Sequence, residues 1–231
     1  MLPELPPAFA ATRRSLHAVA EQVVSAAYWR ATTHIGLRPS PRGFATPVFG
    51  DAERIRVDAT ALVHERGGAI RRHELTTPAA AAAFIGVELG APTVYPAATE
   101  VTPDTPLAID RDAALVLADW YALAAALLAD LRAAHADVPS TELQIWPEHF
   151  DLACELGNEG STRANYGASP GDDGIPEPYL YVGPHDPSKR TGAFSRCGFG
   201  AALTYSELRQ STEAGDAGRQ FYESAVAELG A

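Results

Sequence analysis

Lysine is almost missing from this chain. Of its 18 basic residues one, Lys189, is lysine and the rest are arginine, against 29 acidic residues. The net charge of −11 leaves no electrostatic footprint for nucleic acid or for an anionic membrane surface. Cysteine is as scarce. Cys154 and Cys197 are too few for a disulfide framework, and neither has the close Cys or His neighbours of a structural zinc site. A reducing, cytoplasmic setting is the simplest expectation. No G-x-G-x-x-G and no P-loop pattern occurs, so no nucleotide cofactor is called for, and no spacing here is a metal signature.

Long apolar runs are also lacking. Ala113–Ala129 is strongly apolar but contains Asp119. It lies at the short edge of what spans a hydrocarbon core of ~30 Å, which predicts a buried helix. Thr12-Arg13-Arg14-Ser15-Leu16 has the paired arginines of an export signal. His17, Glu21 and Gln22 interrupt the apolar stretch that such a signal needs next.

What is present is enough apolar material for a sizeable core: 46% of 231 residues. Abundant alanine and arginine suggest a GC-rich bacterial genome. Residues 1–11 are proline-rich and read as irregular. Leu16, Val19, Val23, Val24 and Ala27 recur at helical spacing, with Thr12 as N-cap. Short strand-like runs follow around Ile35, Phe44, Ile55 and Val57, then a hairpin about Gly67-Gly68. Thr77-Pro78 opens an alanine-rich helix ending near Gly86. Four prolines between 87 and 109 mark a linker or long surface loop. Asp110 caps the longest helix, to about Ala134, which is apolar nearly all round and therefore central. Strands return at 141–156, 161–169 and 178–183. Thr204 and Glu207 have capping-box spacing, and Asp216 is placed to cap a last helix.

The least generic stretch is 146–182. If the turn is Gly157–Ser161, then Leu156 pairs with Thr162, Cys154 with Ala164, Leu152 with Tyr166 and Phe150 with Ala168. Glu155 meets Arg163 on the other face, Ala153 meets Asn165, Asp151 meets Gly167 and His149 meets Ser169. A slip by one would mix the faces. His149, Asp151 and Glu155 then project from one strand face. A histidine beside a carboxylate suits general acid–base work, or the two can serve as ligands of a metal. Arg163, Asn165, Tyr179 and Glu177 are further ligand-binding candidates, with Tyr181 and His185 near by. The competing reading is a solvated polar face carrying an ordinary Glu155–Arg163 ion pair.

Other features carry less. Gly167-Ala168-Ser169-Pro170-Gly171 matches the G-x-S-x-G elbow, but Pro170 has no N–H for an oxyanion hole. His34, His64 and His73 fall on predicted strands. Arg54, Arg56, Arg66, Arg71 and Arg72 cluster; such a group suits an anionic ligand, and the competing reading is surface arginines balanced by the nearby Asp51, Glu53, Glu65 and Glu74.

Three segments carry a resemblance: Arg42-Gly43-Phe44-Ala45-Thr46 with Phe49-Gly50-Asp51, His149-Phe150-Asp151-Leu152-Ala153, and Pro176-Glu177-Pro178-Tyr179. In these, and in the helices between them, the chain resembles a bacterial, mainly actinobacterial, family known as a domain of unknown function. The central loop here is shorter, and aromatics around Trp146 are fewer. The resemblance implies no activity, substrate or cofactor. It implies that Asp151 and Glu177 belong to a shared framework.

The expectation is one α+β domain over 1–231, divisible into halves 12–90 and 110–230 joined by the proline-rich loop. Antiparallel strands form two groups, with a buried central helix and C-terminal helices. Two functions stay open. One is binding, or turnover, of a small polar molecule at the His149/Asp151 face. The other is a non-catalytic structural or interaction protein with no such site. Whether it is an enzyme, and its oligomeric state, are not legible.

Overall fold

The apolar stripe through Leu16, Val19, Val23 and Val24 is buried along one continuous helical rod in the computed structural model, which describes residues 2–230. The rod starts earlier than its predicted cap. It comprises α1 (Phe9–Val19), a π-helical turn (Ala20–Ser25) and α2 (Ala26–Thr32). Thr12 sits inside α1, and its Oγ1 accepts from the Asp110 N–H at 2.9 Å.

The chain divides into two compact units. The N-terminal unit holds Leu5–Ala122 and Ile145–Phe150; the C-terminal unit holds the chain up to Glu4, Leu123–Gln144 and Asp151 onward. Helix α4 (Arg111–Ala134) gives its first half to one unit and its second half to the other. Asp110 Oδ1 caps it, accepting from Ala113 N–H at 2.9 Å. Trp120, Tyr121, Ala124 and Leu128 are almost fully buried, so α4 is central. By length and apolarity this helix could cross a membrane, a test that the core helix of a soluble protein also passes.

In the N-terminal unit β1 (Arg38–Ser40), β2 (Gly43–Ala45), β3 (Arg54–Asp58), β4 (Ala61–Arg66) and β5 (Ala69–Glu74) form one antiparallel meander in chain order. Strand β3 buries Ile55 and Val57 and turns Arg54, Arg56 and Asp58 outward, as alternation requires. Gly67 and Gly68 both have positive φ, +55° and +80°, which the two-residue turn between β4 and β5 needs. Helix α3 (Pro78–Ile85) starts at Thr77, whose side chain accepts from Ala80 N–H, and stops at left-handed Gly86. His34 lies beyond the end of α2 and in no strand, contrary to the expectation from its neighbours. The proline-rich segment belongs wholly to this unit.

The arginine cluster is balanced within the sheet. Asp58 accepts from Arg42 at 2.5 Å, Arg72 at 2.8 Å and Arg56 at 3.3 Å. Arg56 also meets Glu65 at 2.8 Å. His64, almost fully buried, sits between Glu53 at 2.7 Å and Arg71 at 2.6 Å. Arg71 in turn lies over the Phe84 ring.

Partial burial pushes the Asp58 carboxyl up, but hydrogen bonds from Arg42, Arg72 and Arg56 outweigh it and hold it down at about 2, against an ordinary 3.8. A depressed carboxyl stabilises the fold above its unfolded value and loses that contribution as pH falls. Asp58→Asn is expected to cost about 2 kcal/mol at neutral pH. The gap from wild type should close between pH 4 and pH 2, about the two values. Acid-limb melts showing a constant gap would rule this account out.

The second sheet runs β10–β9–β8–β7–β6, also an antiparallel meander, and β7 to β10 belong to the C-terminal unit. Its strands are β6 (Gln144–Trp146), β7 (Asp151–Leu156), β8 (Ala164–Ser169), β9 (Tyr179–Pro184) and β10 (Ala201–Thr204). Helices α5 (Tyr205–Gln210) and α6 (Ala214–Leu229) follow. The predicted capping box of Thr204 and Glu207 is present at α5. Asp216 does not cap α6, which begins two residues earlier with Glu213 as N-cap. Each unit thus repeats one order of elements: helix, antiparallel meander, helix.

Candidate functional site

The predicted β7–β8 hairpin exists, with its register displaced by two. Leu156 faces Ala164, Cys154 faces Tyr166 and Leu152 faces Ala168, so Glu155 is opposite Asn165 and not Arg163. The cause is the loop. The Asn158 carbonyl accepts from the N–H groups of Ser161, Thr162 and Arg163, and Thr162 Oγ1 accepts from Asn158 N–H. That winding takes Thr162 and Arg163 out of the ladder. A shift by two preserves the faces, because side chains alternate with period two. Leu152, Cys154, Leu156, Tyr166 and Ala168 are accordingly buried. Burial lifts the Cys154 thiol to about 11, a packing residue and no nucleophile.

The polar side of this sheet is less wet than alternation implies. Asp151 opens β7 with 6% of its surface exposed, and its Oδ2 accepts from the Tyr181 hydroxyl. Tyr181 reaches it by crossing Gly167, its partner on β8. A Cβ on Gly167 would stand 2.5 Å from the ring, so only glycine permits the crossing. Burial first, and then the Asp151 charge, push the Tyr181 hydroxyl well up. Tyr179 donates to Asp172 Oδ2 at 2.5 Å, while Asp172 Oδ1 accepts from Gly174 and Ile175 N–H at 2.7 and 2.8 Å. The Phe199 ring packs against both tyrosines.

At the other end of the face Arg163 still donates to Glu155, diagonally across the hairpin. Asn165 Oδ1 accepts from His185 Nε2–H at 3.2 Å, and His185 lies 3.7 Å from Glu155. These groups are a quarter to two-fifths exposed, and such a pair contributes ~1 kcal/mol or less. Glu177 does not turn to this face. Its Oε2 accepts from Ser206 N–H at 2.8 Å and Ser206 Oγ–H at 2.5 Å, capping α5. Ser169 ends β8 and leads into a loop, with no helix after it.

His149 is not on β7. Strand 141–156 is broken by a turn in which His149 and Phe150 N–H groups both donate to the Trp146 carbonyl. Phe150 adopts φ +54°, which ends any strand pairing there. His149 is exposed in this turn and belongs to the N-terminal unit.

That unit holds a second set of titratable side chains, on which the sequence reading placed only His149. The imidazole of His17 donates to the Pro147 carbonyl at 2.9 Å and stacks on Phe150. Burial pushes its pKa down. Glu21, on the π-turn, has no exposed surface and accepts from Ala98 and Thr99 N–H at 2.8 Å each and from the Thr99 hydroxyl. Gln22 adds a bond to the Thr99 carbonyl. The two residues pin the proline-rich loop, and Tyr95, on that loop, comes under the influence of Glu21 and Glu148. Tyr95 Oη and Glu148 Oε2 are buried, and no hydrogen-bond partner reaches either among the described residues. Burial first, with a further contribution from Glu21, pushes the Glu148 carboxyl up. The signals were faint: Glu21 interrupts a buried apolar stripe, and Glu148 follows the proline at the strand break.

Among the described residues no group of three His, Cys, Asp or Glu is placed to hold a metal ion. No family model matches the chain, and no curated protein or solved structure matches it either.

Proposed function

We propose that this protein binds a small polar molecule, and that the contact groups are Tyr95 and Glu148 of the N-terminal unit, with His149 at the exposed end of the same turn. One observation carries the reading. Two buried polar atoms, one a hydroxyl and one a carboxylate oxygen, have no hydrogen-bond partner among the described residues. Leaving such atoms unpaired costs ~1–3 kcal/mol each, so a molecule that donates to Glu148 and bonds Tyr95 recovers that cost on binding. A π-helical turn beside them fits, since such turns occur often at functional sites. The acidic chain supports a ligand other than nucleic acid or an anionic membrane, and scarce cysteine supports a cytoplasmic setting. The likeness to an actinobacterial family adds no chemistry.

The test is a thermal-shift panel of small amines, amides, acids and sugars on wild type, Tyr95→Phe and Glu148→Gln. Tyr95→Phe removes an unpaired hydroxyl, so the unliganded variant should melt at or slightly above wild type. A compound that stabilises wild type should lose its effect on both variants. Equal stabilisation of all three proteins would defeat the proposal.

A second reading has its own support. On the β7–β9 face every predicted candidate is engaged inside the fold: Asp151 with Tyr181, Tyr179 with Asp172, Arg163 with Glu155, Asn165 with His185. That favours a non-catalytic role for this face, in which these residues hold the sheet.

A further inference from the structure

We infer that a pocket in the C-terminal unit, between the second half of α4 and α6, takes a small amphiphilic organic cation: an aromatic or short alkyl group bearing a protonated amine. This does not depend on the N-terminal site. Gly218 brings the two helices together, since a Cβ there would stand 2.6 Å from Leu127 Cδ1. Beside this contact lies a half-open pocket of about 270 Å³. Its floor is apolar: Leu127, Leu131 and the ring of Tyr222, whose hydroxyl is turned away to the Gly167 carbonyl at 2.8 Å. Its rim is charged: Asp130, Arg219 and Glu223.

The size is just under the ~300 Å³ at which drug-sized sites begin, so it suits one ring or a short chain. The rim decides the charge. Arg219 is already committed to Asp216 at 2.5 Å and approaches Asp130 at 3.5 Å. Glu223 meets an imidazole, His135, at 2.9 Å and, among the described residues, no guanidinium or ammonium. Two rim carboxylates, Asp130 and Glu223, face one guanidinium that Asp216 already pairs, which leaves the mouth negative, so that it attracts a cation and repels a carboxylate. An apolar body then desolvates against Leu127, Leu131 and Tyr222, while the ammonium stays at the half-exposed rim and pairs with Glu223 or Asp130.

Calorimetric titration of the full chain tests this with three probes of one shape: 2-phenylethylammonium, 2-phenylethanol and 3-phenylpropionate. The expected order is cation, then alcohol, then carboxylate. Glu223→Gln and Asp130→Asn should each weaken the cation about three- to fivefold and leave the alcohol unchanged. Ala134→Trp, at an exposed lining position, should block cation and alcohol alike. Should that variant fail to fold, the doubly substituted Asp130→Asn/Glu223→Gln protein carries the test. Carboxylate binding as tight as the cation, no binding of any probe, or cation binding indifferent to the rim substitutions would overturn the assignment.

Discussion

Trp120→Ala is expected to lower the free energy of unfolding by about 3–5 kcal/mol, the usual cost of emptying a fully buried aromatic site. Trp120 keeps 1% of its surface exposed, and its neighbour Tyr121 keeps none. Tyr121 donates to the Phe150 carbonyl at 2.5 Å, and Phe150 stands edge-on to both Tyr121 and Phe44. This part of the N-terminal core is thus rings locked by a hydrogen bond, which cannot easily collapse into a void. Collapse is what makes some large-to-small substitutions cheap. Urea unfolding of the variant is the measurement. A midpoint equal to wild type would place the helix at the periphery.

Gly167→Ala should be nearly as damaging, although it adds one methyl. The new Cβ meets the Tyr181 ring at 2.5 Å, far inside contact distance. Either the ring moves or the strands part. Overpacking of this kind costs ~1–3 kcal/mol, and moving the ring also breaks the Tyr181–Asp151 bond. A hydrogen bond to a charged acceptor contributes ~1.5–3 kcal/mol. The sum is about 2.5–6 kcal/mol. Tyr181→Phe isolates the second part, because the ring stays and only the hydroxyl leaves. If Gly167→Ala proved no worse than Tyr181→Phe, the steric part of this argument would be lost.

Much of the architecture was legible because it rests on local chemistry. Asp110, Thr77-Pro78 with Gly86, and the Thr204/Glu207 box each mark a helix end through side chains acting on their own backbone. The glycine pair at 67–68 marks its hairpin through φ alone. Alternation sorted the faces of β3, β7 and β8 for the same reason. It could not choose between registers two apart, since both bury the same residues. The choice fell to the Asn158 carbonyl, which gathers three N–H groups and needs a longer loop. Distant partners settled the rest. Asp151 reads as surface until Tyr181 covers it, Glu177 reads as a ligand until Ser206 meets it, and Glu21 reads as a blemish in an apolar stripe until Ala98 and Thr99 donate to it. A phenylalanine at φ +54° has no local signature at all; Phe150 is held there by the packing of His17, Phe44 and Tyr121 around it.

The carboxylate of Glu21 has a consequence for how freely this chain can vary in length. By fixing Ala98 and Thr99, it splits the proline-rich segment into two separate closures, one leading in from α3 and one leading out to α4. Closing a flexible loop grows dearer only with the logarithm of its length, by ~0.6 kcal/mol per doubling. Extra residues placed about Val94 or Asp104, both exposed, would lengthen one closure and leave the other as it is. Between α3 and α4, then, added length costs least at such exposed points and most where the fold grips the backbone: at Ala98 and Thr99 through Glu21, at Gly90 through Gln22, at Pro103 through Ala79 and at Leu107 through Thr76.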